Sequence, residues 1–575
     1  MLNQALEIFI KEYNQNDDKL ILDSYIPADG TYVVVEPKDD GFEICESVDI
    51  KLNKETKDID RVNEYIPFIC FADYNSKLLD MNKPMDSKKI VHSNNYLSFF
   101  IKKESLVNGK LTEEIIDNYY NILENPSSKY KKSKKASELY SMVEEKNGKV
   151  DKEVLGNIRV WIKNNIFTML ENNSGKDYLK IFFDYPKEDY RREGERYFIP
   201  NIYNSNDFNV ILNDKIYGLP NDNMGLNSKK PYLENKTRKV TVPHLIDQEE
   251  VVFQKKFFDY LMNQAASGKV NIYMGEKILA KKNGENLEDD FKGIYLRIKK
   301  GKEVEIHDFD IITNYKSELI KKFEYKNILG IDYDKLKGEY VNYKTLNSMQ
   351  KLINEILFSK FLIPNYFTEP KDVSINDEVL KNNLFMARTA LFNWFYKGVY
   401  KNIWQLLNKV SLSLVKGSIK NGYMTKGADQ FNLRISLKEY FEGGENMADI
   451  IFDIKEKLRG KISEKDTKNI ESDREYFFAV GQLVSFFISR SKGKKKPLSL
   501  ANPFINAKRN KMIQEKLKAL YKKYNYDIES YSYRFKNLYA MIMCYEPGEK
   551  VDEDMIIAGY LHSNLLYEKD EEVKR

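Results

Sequence analysis

The apolar positions of this chain begin at helical spacing, pass through strand-like runs, and return to helical spacing over the second half. Residues 1–13 form an amphipathic helix with Glu7, Lys11 and Glu12 among its apolar positions. Residues 31–36 and 42–50 are rich in strand formers and are joined by Pro37-Lys-Asp-Asp-Gly41, a turn sequence. The apolar run 96–101 should be buried, and the asparagines and lysines flanking it should not. Residues 111–171 read as helical and 178–184 as a buried strand. The stretch 185–243 is loop-rich, with short strands at 208–212 and 215–217, and a helix follows at 248–262. Residues 293–299 and 303–312 pair as a hairpin around Lys300-Gly301.

From residue 315 onward the pattern is helical, with long amphipathic stretches at 346–361 and 377–400. The aromatics of the second (Phe385, Phe392, Trp394, Phe395, Tyr396) are assigned to core. Residues 418–432 form a glycine-punctuated break, and Gly443-Gly444 is the best domain boundary. A bundle of four or five helices follows, with Ser472 and Glu475 as a capping box. The expected fold class is α+β. A mixed α/β body with loop-rich β segments covers 1–315, a helical middle region 316–444, and an all-α bundle 445–575.

A chain of 575 residues is too long for one core. Charged residues make up 31%, but 42% are hydrophobic, which places it with folded rather than disordered proteins. The net charge of +5 is small for this length, so any electrostatic footprint must be local. Cys45, Cys70 and Cys544 are scattered without metal-ligand spacing and fit a reducing compartment. The first segment lacks the basic start of a signal peptide, and no apolar run reaches the roughly 18 residues of a membrane span. A cytoplasmic protein is expected, with no membrane partner.

Three basic features stand out locally. Residues 218–239 have neither helical nor strand periodicity and carry four asparagines and five cations against Asp222 and Glu234. Asparagine amides can donate and accept at base edges, and lysine neutralises phosphate. This loop can hold and read a nucleic-acid backbone; the same composition also suits a solvated surface loop. Lys129, Lys131, Lys132, Lys134 and Lys135 bracket Tyr130, and Arg191, Arg192 and Arg196 precede the loop. Between Arg490 and Lys523 there are twelve basic residues and one acid, Glu515. In the helix read at 504–525, Ile513, Leu517, Leu520, Tyr521 and Tyr524 share one face, while Lys508, Lys511, Lys518 and Lys522 fall opposite. Cations this concentrated repel one another unless a polyanion neutralises them.

No phosphate-binding glycine loop, dinucleotide fingerprint or His-Glu-x-x-His zinc motif is present. His307-Asp308 is the one His-Asp doublet among four histidines, so neither catalytic nor metal-ligating residues are assigned and no cofactor is expected. The alternative is a metal-dependent nuclease acting on foreign nucleic acid, with His307, Asp308 and Asp310 as ligands.

Several segments together resemble the large subunit of the type I-B CRISPR surveillance complex (Cascade), the eighth CRISPR-associated family in its Csh branch. They are Asn82-Lys-Pro-Met, Ser93-Asn-Asn-Tyr-Leu-Ser-Phe-Phe-Ile-Lys-Lys, Asn223-Met-Gly-Leu-Asn-Ser-Lys-Lys-Pro-Tyr-Leu-Glu and Gly481-Gln-Leu-Val-Ser-Phe-Phe. Asn502-Pro-Phe-Ile-Asn-Ala-Lys, Tyr524-Asn, Arg534-Phe-Lys-Asn-Leu and Ala558-Gly-Tyr-Leu-His-Ser-Asn-Leu-Leu-Tyr complete the series. The ordered set carries the likeness across nearly the whole chain; residues 270–440 match least.

The resemblance implies a non-enzymatic subunit at the crRNA 5′ handle. Such a subunit recognises the protospacer-adjacent motif (PAM) in duplex target DNA, helps unwind it, stabilises the displaced strand and supports recruitment of a helicase-nuclease. Its other partners are the backbone and small subunits. On this reading Asn221, Asn223, Asn227, Lys229 and Lys230 read the PAM. Lys494, Lys495, Lys496, Lys508, Lys511, Lys518 and Lys522 track a nucleic-acid backbone, as do Lys129, Lys131, Lys132, Lys134, Lys135, Arg191 and Arg192. The C-terminal bundle resembles the small subunit and can be made separately from an internal start, expected at Met447, with Met424 as second choice.

Overall fold

The computed structural model describes residues 2–78, 85–131, 133–169, 175–203, 209–219, 245–301, 303–331, 339–466, 468–491, 498–528, 532–548 and 550–568. The PAM-reader candidates Asn221, Asn223, Asn227, Lys229 and Lys230 lie outside them, as do Lys132, Lys494, Lys495 and Lys496. The architecture is α+β. Two compact units are present: Met1–Lys282 with Gly293–Ile311, and Asn283–Lys292 with Ile312–Arg575.

The first unit opens with α1 (Leu2–Asn16), the hairpin β1 (Gly30–Lys38) and β2 (Gly41–Ile50), and α2 (Ile66–Asn75). Then come β3 (Ser98–Lys102), α3 (Glu113–Glu124), α4 (Lys134–Asn147), α5 (Lys152–Asn165), β4 (Tyr178–Phe183) and α6 (Lys187–Phe198). Its main sheet has the order β2-β1-β4-β3, with β1 parallel to β4 and the outer pairs antiparallel. The central strands carry continuous apolar runs, Tyr32–Val35 and Ile181–Phe183, because both their faces are covered. A small sheet follows from β5 (Val210–Leu212), β6 (Lys215–Gly218) and β7 (Ile246–Asp247), then α7 (Gln248–Ala266). The last sheet, ordered β11-β10-β8-β9, uses β8 (Lys269–Met274), β9 (Ile278–Lys282), β10 (Phe291–Lys300) and β11 (Val304–Tyr315).

The polar residues before β3 are interior, not exposed as their composition suggests. Asn95 donates from Nδ2 to the Tyr190 carbonyl and accepts at Oδ1 from the Leu97 N–H, and Ser93 Oγ meets the Tyr119 hydroxyl at 2.8 Å. Lys103 is buried against Asp177. Ser93 and Asn95 satisfy the backbone of a buried turn and Lys103 is paired with a carboxylate, so none of these groups is buried without a partner.

The second unit starts with a two-stranded ribbon, β12 (Glu318–Glu324) and β13 (Asn342–Thr345), where the sequence reads as helical. Only Phe323 of β12 is buried, so the strand leaves no alternating apolar signal. The helices are α8 (Leu346–Ile356), α9 (Glu378–Lys397), α10 (Ile403–Asn421), α11 (Met424–Glu442), α12 (Met447–Ser463), α13 (Asp473–Ser489), α14 (Asn510–Tyr524), α15 (Tyr533–Cys544) and α16 (Glu553–Leu561). Between α10 and α11 the break is only Gly422 and Tyr423; Gly427 sits inside α11, with Ser418 and Leu561 in ordinary contact beside it.

One core spans α10 to α16, joining Val415, Ile419, Phe431 and Ile435 to Ile451, Phe477, Leu517, Leu538 and Ile557. Gly443 and Gly444 form the turn from α11 into α12 within this unit, both at positive φ. At the centre α13 and α16 cross at glycine contacts. A Cβ on Gly481 would stand 2.2 Å from the Ile556 carbonyl oxygen, and one on Gly559 2.1 Å from that of Phe478. Two of the segments quoted for the resemblance thus meet as one helix crossing, tied by Gln482 Nε2 donating to the Gly559 carbonyl at 2.6 Å.

Candidate nucleic-acid interface

α14 follows a one-turn helix, Asn502–Ile505, and buries Ile513, Leu517, Leu520 and Tyr524 along one stripe. This stripe turns Arg509, Lys511, Lys516, Lys518, Lys522 and Lys523 to the surface. Among the described residues Arg509, Lys511, Lys516, Lys518 and Lys522 have no ion-pair partner. Lys523 Nζ stands 5.2 Å from the centre of the Tyr524 ring.

Lys522 and Lys523 sit in the last turn, where cations suit the helix dipole. Arg509 and Lys511 sit at the N-terminal end, beside free backbone N–H groups and with no acid in the first turn. There the dipole opposes them, so helix stability does not account for these two cations.

Lys508 is different. Its ammonium is 2.6 Å from Glu553, which also takes Lys416 at 2.5 Å. Lys508 and Glu553 border a cavity of about 790 Å³ where Arg434, Lys438, Lys508 and Lys550 face Asp473, Asp552, Glu553 and Asp554. Burial works to raise the Glu553 carboxyl, but Lys416 and Lys508 hold it below its ordinary range. Charge here is balanced internally; along α14 it is not.

Beside α14 runs a ladder of rings. Tyr521 lies 5.0 Å from Tyr539 and 6.0 Å from Phe535; Phe535 is stacked on Phe486 at 5.4 Å, and Phe486 meets Tyr567 at 5.5 Å. The Arg490 guanidinium covers Phe486 at 4.6 Å and Tyr567 at 5.4 Å. The middle rings are buried, whereas the ends are open: Tyr521 is 37% exposed and Tyr567 49%. Tyr521 is therefore not a core residue, although its spacing places it near the apolar face. The ladder joins residues 81 positions apart in sequence, between Phe486 and Tyr567, and no periodicity could have found it.

The other basic features are more engaged. Lys129 Nζ contacts Met85 Sδ at 3.5 Å and Lys135 donates to the Asn209 carbonyl at 3.2 Å, while Lys131 and Lys134 are exposed. Arg191 pairs with Asp17 and Asp18 and covers the Phe71 ring. Arg192 pairs with Asp189 at 2.6 Å, and Arg196 is buried against Glu193 and the Gly148 carbonyl. These guanidiniums tie the first unit together.

His307, Asp308 and Asp310 lie on β11, where alternate residues take opposite faces, so His307 points away from the two acids. His307 Nε2 is 3.2 Å from Glu305, on its own face. Among the described residues no group of three or more His, Cys, Asp or Glu side chains converges to hold a metal, and no helix is long and apolar enough to cross a membrane. No family model, curated protein or solved structure matches the chain.

Proposed function

We propose that this chain is a nucleic-acid-holding subunit of the kind it resembles, the large subunit of a type I-B CRISPR surveillance complex, working by binding and not by catalysis. The observation that carries the reading is the row of unpaired cations on α14, above all Arg509 and Lys511, whose position the helix itself disfavours. A phosphate backbone laid along Lys511, Lys518 and Lys522 relieves their mutual repulsion and releases counterions. The exposed aromatic edge beside this row suits a strand whose bases are open to stacking, in keeping with a displaced single strand. Base pairing with crRNA supplies sequence in this scheme, and the segment holding Asn223 and Asn227 reads the PAM.

The test is reconstitution with crRNA and the backbone and small subunits, followed by binding to a matched duplex carrying a correct or scrambled PAM. Lys511→Glu/Lys518→Glu/Lys522→Glu weakens binding to both targets by about 100-fold or more, since it removes and reverses phosphate contacts. Asn223→Ala/Asn227→Ala leaves assembly intact and narrows the PAM preference by roughly tenfold, the value of a good base contact. A chain that neither assembles with crRNA nor binds DNA overturns the proposal.

A further inference from the structure

The C-terminal end of the described chain lies across the far end of the aromatic ladder. Gln482 anchors it: Asn564 Nδ2 donates to the Gln482 carbonyl at 2.8 Å, and the Leu565 N–H donates to Gln482 Oε1 at 2.8 Å. Leu565 is buried. Beyond this anchor come Tyr567 and Glu568, tied back to it by their backbone, the Tyr567 N–H donating to the Asn564 carbonyl at 3.1 Å and the Glu568 N–H to the Leu565 carbonyl at 3.4 Å. The Tyr567 ring lies against Phe486 under the Arg490 guanidinium, its hydroxyl bonded to Ser489. The Glu568 carboxylate takes two hydrogen bonds from Arg459, Nε to Oε2 at 2.6 Å and NH2 to Oε1 at 3.0 Å. Arg534 donates to the Glu568 carbonyl.

A flat ring on an aromatic platform, followed at once by an anion in a two-point arginine grip, has the chemistry of a nucleotide. The base corresponds to the Tyr567 ring and the phosphate to the Glu568 carboxylate. A guanidinium holding a carboxylate through two parallel N–H donors holds a phosphate the same way. Phe486 and Arg490 accept any base, because every base has a π-face. The cluster also holds Lys455, whose amine burial and Arg459 push below its ordinary range, and which donates to Ser563. It thus has more cationic than anionic groups facing Glu568, whose carboxyl is held low by Arg459 despite its burial.

We propose that Phe486, Arg490, Arg459 and Arg534 form a nucleotide subsite of the single-strand surface, and that Tyr567–Glu568 occupies it until a strand displaces it. This rests on α14 binding nucleic acid; Tyr521 joins the two along the ladder. Displacement breaks these side-chain contacts and the two backbone hydrogen bonds from Tyr567 and Glu568, while the hydrogen bonds of Asn564 and Leu565 to Gln482 stay in place.

The test is binding of a labelled dT20 oligonucleotide to the full chain at fixed salt. Tyr567→Ala/Glu568→Gln vacates the subsite and binds dT20 about tenfold tighter, the scale of one stacked base with its phosphate. Glu515→Gln, which removes one charge from α14 itself, sets the size of a bare electrostatic gain, and the double variant must exceed it. Adding Arg459→Ala to the double variant returns affinity to the wild-type value. Thermal unfolding of each variant checks that the fold is kept, with the far-side anchor intact. Affinity of the double variant equal to or below that of the wild type, or a gain no larger than that of Glu515→Gln, overturns the proposal. Loss of dT20 binding in Lys511→Glu/Lys518→Glu/Lys522→Glu, with no gain in the double variant, leaves α14 as the binding face and removes only the subsite.

Discussion

In the first unit Lys180 stands in the central strand β4 with its ammonium among the rings of Phe100, Tyr32 and Tyr178, at 4.7, 5.1 and 5.4 Å. Its partner is Asp73 of α2, fully buried, which also takes Lys77 at 3.1 Å and the Tyr25 hydroxyl. Burial alone would raise the Asp73 carboxyl, but Lys180 and Lys77 hold it down at about 2. A folded value below the unfolded one, near 3.9, stabilises the protein above that pH and is lost as pH falls toward 2. Asp73→Asn therefore costs about 3–5 kcal/mol at pH 7 by stranding a buried ammonium. In urea unfolding at pH 7 and pH 2.5 the gap between wild type and variant narrows at the lower pH; a gap independent of pH contradicts the assignment. Sequence gives no hint of this pair, because Asp73 and Lys180 are far apart along the chain and each looks like a surface residue. The same blindness applies to Ser93 and Asn95, whose polarity reads as exposure and whose hydrogen bonds make it burial.

At the scale of elements, legibility follows how much of the signal is local. The hairpin β1–β2 is plain, since its turn residues and strand formers are contiguous. The ribbon β12–β13 is not, because its partners are distant and only Phe323 of β12 is buried. The capping box before α13 is half right: Ser472 Oγ accepts from the Glu475 N–H at 3.2 Å. The Glu475 carboxylate instead takes Lys461 at 2.8 Å and the Glu471 N–H, because a buried carboxylate needs a cation more than a second cap. The crossing of α13 and α16 gives a sharp contrast among glycines. Gly481→Ala drives a methyl into the Ile556 carbonyl and costs about 3 kcal/mol or more as the helices part. Gly460→Ala, on α12 with nothing within 4 Å of its Cβ, stabilises by about 0.5–1 kcal/mol through helix propensity. Differential scanning of the two variants checks both signs; a neutral Gly481→Ala would mean that the helices do not touch there.

For the whole molecule, the net charge of +5 says little and its placement says much. Guanidiniums of the first unit (Arg191, Arg192, Arg196) are drawn into ion pairs with neighbouring acids. The cavity at Glu553 balances its charges internally. On α14 the cations are left facing outward, so their exposure was legible in the basic run of the sequence while other details needed coordinates: Lys508 paired with Glu553, Tyr521 turned out, and Arg459 and Arg534 brought in from other helices.

As proposed above, Lys511, Lys518 and Lys522 together contact a nucleic-acid backbone. The most direct measurement is the salt dependence of dT20 binding, as the slope of log K against log salt concentration, for wild type and Lys511→Ala/Lys518→Ala/Lys522→Ala. Each phosphate contact on a single strand contributes about 0.7 to that slope. Loss of three such contacts makes the variant line shallower by about 2 as well as lower. Two parallel lines, or lines that coincide, contradict it.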